Sequence, residues 1–72
     1  PNNDAVLNNY SFYLSLRKEN LEKAEKMAEQ LVKNHPDEAT YLDTYAWVLF
    51  QREKYKEAKR VIERALSSGK AN

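Results

Sequence analysis

Cysteine is absent from the 72 residues, and histidine occurs only once. No disulfide can therefore staple the chain, and a structural zinc site, which needs about four Cys or His ligands, has no ligand set. Glycine occurs once and proline twice, too few to punctuate a many-stranded sheet protein. No apolar run approaches the roughly 20 residues needed to span a bilayer. An excess of one charge is missing as well: twelve Lys and Arg face eleven Asp and Glu, for a net charge of +1. Such a balance lacks the field that draws a protein to nucleic acid or to an anionic membrane. No glycine-rich loop is present to cradle a phosphate.

What is present favours helices. Charged residues make up 32% of the chain and are mixed with Ala and Leu, a composition with high helical propensity. The apolar spacing divides into four amphipathic segments. The first spans about Asp4 to Leu16, with Leu7, Tyr10, Ser11 and Leu14 on its inner stripe and Asn3 or Asp4 able to cap it. The second spans Leu21 to Asn34, with Asn20 as N-cap and Leu21, Ala24, Met27, Ala28, Leu31 and Val32 on one face. Pro36 stops it, because the residue before a proline is pushed out of the helical region. Asp37 then caps a third segment, Glu38 to Gln51, with Leu42, Tyr45, Ala46 and Leu49 inward. The fourth spans Tyr55 to Ser68, with Tyr55, Ala58, Val61, Ile62, Ala65 and Leu66 on one face and Gly69 at its end. Links of only a few residues force neighbouring helices to run antiparallel.

The segments repeat. Leu21, Ala24, Ala28, Leu31 and Val32 map onto Tyr55, Ala58, Ile62, Ala65 and Leu66 at a constant offset of 34. Leu7, Tyr10, Ser11, Phe12 and Leu14 map onto Leu42, Tyr45, Ala46, Trp47 and Leu49 at an offset of 35. The difference places one extra residue in the first turn, between Leu16 and Asn20, where an insertion is tolerated.

The elements Leu7-x-x-Tyr10-Ser11-x-x-Leu14 and Leu42-x-x-Tyr45-Ala46-x-x-Leu49, each followed by an alanine-bearing helix (Ala24 and Ala28, then Ala58), resemble the tetratricopeptide repeat. Pro36 closes the first unit as the family's proline does, whereas the second has none; the family's tryptophan site holds Leu7 and Leu42, and its turn glycine is absent. The resemblance implies an all-α fold: two antiparallel helix-turn-helix hairpins, about residues 4–36 and 37–69, stacked as a short right-handed α-solenoid, with 70–72 as a tail. It makes residues 1–72 a single domain. It also implies a longer array continuing before Pro1 and after Asn72.

Members of this family hold a peptide segment or a partner helix on the concave face. Carried over residue by residue, that face comprises Asn8, Asn9, Phe12 and Ser15, with Leu16, in the first unit. The second supplies Asp43, Thr44, Trp47 and Gln51, with Thr40 and Phe50. The family's carboxylate clamp requires paired cations, and Asn8, Thr40 and Asp43 occupy those sites here, so that specialised mode is not expected. The function implied is a protein-interaction scaffold. The alternative is a purely structural packing unit of a longer array, with no ligand of its own. No enzymatic activity is expected: His35 is the only histidine, beside Pro36 at a helix end, where it suits the helix carbonyls or solvent better than general-base work. No cofactor or metal is implied. The partner is a protein or peptide rather than nucleic acid or membrane. The basic fourth segment carries interspersed Glu57 and Glu63, which argue against a dedicated nucleic-acid site. The chain is expected to be a monomer with some self-association through the exposed repeat ends.

Overall fold

A computed structural model describes residues 3–69 as four helices joined by short turns, with no strand among the described residues. Helix α1 covers Asp4–Arg17, α2 Leu21–Asn34, α3 Ala39–Gln51 and α4 Tyr55–Gly69. The expected tail, 70–72, lies outside the described residues. The second helix has the bounds that its apolar stripe predicts. The first runs one residue further, to Arg17, and the third begins at Ala39 with Glu38 as N-cap, not Asp37. Neither Asn3, Asn20 nor Glu38 makes a side-chain capping hydrogen bond.

The two turns after α1 and α3 share one device. Lys18 and Glu53 adopt left-handed backbone, with φ of 55° and 64°, at the position where glycine is the usual residue. The next amide then reaches back to the helix: Glu19 N–H donates to the Leu14 carbonyl at 3.0 Å, and Lys54 N–H to the Leu49 carbonyl at 2.9 Å. These equivalent bonds are 35 residues apart. Beyond them the offset falls to 34, since Asn20 and Lys54 each accept from the first-turn alanine amide, Ala24 or Ala58, at 2.9 Å. The extra residue of the first turn therefore lies at Glu19–Asn20. Asn20 takes left-handed backbone to absorb it, with φ of 48°, a region asparagine enters more readily than most residues.

Successive helices pack side by side, and α3 also packs on α1, so α3 alone touches all three others; among the described residues α2 and α4 make no close backbone contact. The main core joins Val32 of α2 to Leu42, Ala46 and Leu49 of α3 and Ala58, Val61 and Ala65 of α4, with Tyr41 and Tyr45 partly buried against it. A second cluster joins Leu14, Ala24 and Val48 from α1, α2 and α3. Small residues set the spacing: Ser11, Ala24, Ala28 and Ala46 are all buried, allowing close backbone approach. The Ser11 hydroxyl donates to the Ala24 carbonyl at 2.8 Å, so this polar group enters the α1–α2 seam already satisfied. An ion-pair triad spans the two halves: the Glu25 carboxylate of α2 accepts from Arg52 at 2.9 Å and Lys54 at 3.0 Å in the α3–α4 turn. Glu25 is largely shielded from solvent, so this pair is screened less than an ordinary surface one.

The inner stripe of α1 departs from expectation. Ser11 and Leu14 are buried, but Leu7 and Tyr10 are exposed, as are Val6 and Tyr13. Their equivalents in α3 are buried or half-buried because α1 and α2 cover them. No described helix covers the same side of α1.

Candidate functional site

An open groove of about 430 Å3 runs between α3 and α4 on the side away from α1 and α2. Its floor is Ala46 and Ala58, buried where the two helices meet. One wall is aromatic. Trp47 stacks on Phe50 with ring centroids 5.7 Å apart and planes 19° apart, and Phe50 meets Tyr55 edge-on at 5.2 Å and 61°. Ile62 forms the α4 wall, and Asp43 and Lys59 complete the lining with one charge of each sign.

Local sequence explains this arrangement. Trp47 and Phe50 are three apart on α3 and so share a face, while Tyr55, the first residue of α4, is folded beside them by the turn at Glu53. Trp47, Phe50, Tyr55 and Ile62 all remain exposed. Stacked aromatic rings beside an apolar floor offer large contact area with few rotatable bonds, the usual make-up of an interface anchor.

The residues expected on a binding face are distributed unevenly. Asp43 and Trp47 line this groove, together with Phe50. Asn9, Phe12, Leu16 and Thr40 are exposed and Gln51 is half-buried, none of them lining it. Asn8, Ser15 and Thr44 were expected to face outward and instead are buried. They belong to α1 and α3, which pack on one another, and the Ser15 hydroxyl turns back to the Phe12 carbonyl at 2.6 Å. Tyr55 and Ile62, by contrast, were expected on a core stripe, and Lys59 was not singled out at all. One signal does point to Ile62. It stands where the first unit has Ala28, and so bulky a residue cannot be received as Ala28 is.

His35, expected against helix carbonyls or solvent, is exposed and has a carboxylate as its partner. Its Nε2 lies 2.6 Å from the Asp4 carboxylate, and its ring meets Tyr41 edge-on at 5.4 Å. The contact ties the start of α1 to the end of α2 and is exposed. The Ser11 and Ser15 hydroxyls both donate to backbone carbonyls. No three His, Cys, Asp or Glu side chains converge among the described residues. No helix among them is long and apolar enough to cross a membrane.

No family model, no curated protein and no solved structure matches this chain.

Proposed function

We propose that the chain is a protein-interaction unit of the tetratricopeptide-repeat kind, with two hairpins stacked as a short right-handed α-solenoid. Its contact surface is the α3–α4 groove, which receives the apolar face of a partner helix or peptide segment. One observation carries this reading: the groove is continuous, apolar and open, with Trp47, Phe50 and Tyr55 left in solvent along one wall. A contiguous exposed apolar patch of this kind marks an interaction site. Helix-in-groove recognition uses anchors at i, i+3 or i+4 and i+7, which fits a trough floored by alanines. The rest of the expected concave face has less to offer, because Asn8, Ser15 and Thr44 are buried and Asn9, Phe12, Leu16, Thr40 and Gln51 lie outside the groove.

Trp47 is the only tryptophan and lines the groove, so its emission reports occupancy. Titration with amphipathic helical peptides bearing Leu or Phe at i, i+4 and i+7 is expected to give a saturable shift. Ile62→Glu should abolish the shift, and Asn9→Ala with Phe12→Ala should leave it intact. The opposite pattern would move the site to the concave face. No response to any peptide would defeat the interaction reading.

A second reading, a packing unit with no ligand of its own, is favoured by the exposed Val6, Leu7, Tyr10 and Tyr13 on α1. A helix needs such a row to be seated on a neighbour rather than to hold a peptide in a groove.

A further inference from the structure

The two halves of the chain meet at a seam that can be written as two complementary surfaces. One is the receiving face of α1 and α2, where Asn8, Ser11, Ser15, Ala24 and Ala28 are all buried. The other is the seating side of α3, with Tyr41, Leu42, Thr44, Tyr45 and Val48 buried or half-buried. The internal repeat carries both surfaces to the two ends of the described four-helix stack. Shifted by 35 or 34 residues, the receiving face becomes Asp43, Ala46, Phe50, Ala58 and Ile62, all of which line the open groove. Shifted back by 35, the seating side becomes Val6, Leu7, Asn9, Tyr10 and Tyr13, all exposed on α1. Thus, among the described residues, one end of the stack presents an empty receiver and the other an unseated helix, each a counterpart of half of a contact the chain already makes within itself.

We infer that the groove takes the α1 helix of a second copy of this chain, joining molecules head to tail. The inference rests on the groove being the interaction surface, and it names the occupant. The individual contacts carry over. Val48 clusters with Leu14 and Ala24; the counterpart of Val48 is Tyr13, which in the next copy meets Ala58 on the groove floor, the counterpart of Leu14 being Leu49, already enclosed in the core. Val32 shares a cluster with Leu42, and the corresponding pair is Leu66 with Leu7, both exposed. Charge also carries over, with its sign exchanged. Glu25 pairs with Lys54 at 3.0 Å; their counterparts are Lys59, in the groove lining, and Glu19, at the end of α1. The counterpart of Arg52 is Arg17, which the Glu19 carboxylate already engages at 3.3 Å.

Two substitutions make the new contact looser than the internal one. Phe50, 49% exposed, replaces the fully buried Ser15, and Ile62, 39% exposed, replaces Ala28, 1% exposed. The larger side chains hold the incoming helix further out than α3 sits, so association is weak and reversible. Because the two surfaces differ, the contact is heterologous and forms open chains rather than closing at a symmetric dimer.

Sedimentation velocity of the whole chain between about 10 µM and 1 mM, the weak end expected of a small interface, tests this. The sedimentation coefficient should rise continuously with concentration. Tyr13→Glu disables the helix face and Ile62→Glu the groove, and both positions are exposed, so helical content should survive. Each variant alone should stay monomeric at every concentration. An equimolar mixture of the two should form a 1:1 dimer that grows no further, since each copy retains the surface the other lacks. Val6→Glu and Leu66→Glu, at still more exposed positions, repeat the test if circular dichroism shows either first variant unfolded. A parent that stays monomeric, a mixture that does not dimerise, or association removed by only one of the two variants would each overturn the inference. A monomeric parent whose Trp47 still responds to a helical peptide would sink the self-assembly while leaving the groove reading intact. Failure of both measurements would sink both.

Discussion

Leu7 and Leu42 are the same residue at equivalent places in the internal repeat, yet replacing each by alanine should have very different consequences. Leu42 is 0% exposed in the core shared by α2, α3 and α4, whereas Leu7 is 42% exposed in a shallow recess beside Met27 and Leu31. Leu42→Ala removes the transfer energy of the lost carbons and leaves an enclosed cavity, together about 3–5 kcal/mol. Leu7→Ala opens no closed cavity, because water reaches the site, and loses part of an already incomplete burial, about 1 kcal/mol. The whole domain, at about 0.05–0.15 kcal/mol per residue, holds only about 4–11 kcal/mol, so the first change is close to the limit of folding. The assay is urea unfolding followed by circular dichroism at low micromolar concentration, where copies do not associate. With a slope of about 1 kcal/mol/M for so small a chain, Leu7→Ala should lower the midpoint by about 1 M. Leu42→Ala should lower it by about 3 M or more. Equal losses at the two sites would refute the reasoning, since they would mean that α1 and α3 are covered alike.

Two further outcomes follow from individual side chains. The Asn8 Oδ1 is buried without a hydrogen-bond partner among the described residues, an arrangement that costs about 1–3 kcal/mol. Asn8→Leu should therefore raise the melting temperature, by about 4–8 °C for each kcal/mol gained in a domain of this size. The exposed neighbour Asn9→Leu controls for helix propensity, and an equal rise there would show that burial of Asn8 is not the cause. Burial pushes the Tyr45 phenol above its ordinary pKa, and the Glu29 and Glu25 carboxylates push it further the same way. The unfolded phenol then ionises first, from about pH 10, so unfolding releases a proton and stability falls as pH rises through that value toward the folded one. Tyr45→Phe should flatten the loss of stability between about pH 9 and 11, and an unchanged slope would place the alkaline sensitivity elsewhere.

Legibility differs between the even and odd helices for a physical reason. The faces of α2 and α4 were readable because each alternates a charged side, such as Glu22, Lys26 and Glu29 or Lys56, Lys59 and Glu63, with an apolar stripe. Charge is costly to bury without a partner, so the polar side declares which way the helix turns. The stripe still did not say which of its members stay covered: Val61 and Ala65 are buried, Tyr55, Ile62 and Leu66 are not. In α1 and α3 almost every position is apolar, aromatic or a small neutral polar residue, with Asp43 the only charge between Thr40 and Gln51. Periodicity then has no polar side to oppose. Asn8, Ser15 and Thr44 were placed outward by carrying over the groove positions of the tetratricopeptide resemblance, but the packing of the helices buries them.

By itself, the sequence determined the four helices, their near-exact bounds, the pairing at offsets of 34 and 35, and the one-residue excess in the first turn. These are properties of local spacing, propensity and short links, and they need no knowledge of neighbours. Only the tertiary structure decided which of two equivalent residues is buried. Leu42 is covered and Leu7 is not, and Ala28 is covered while Ile62 stands open, because each helix has different neighbours even where the repeated sequence is alike. The candidate site lies in that difference: the groove is the place where the pattern asks for one more helix and the described chain supplies none.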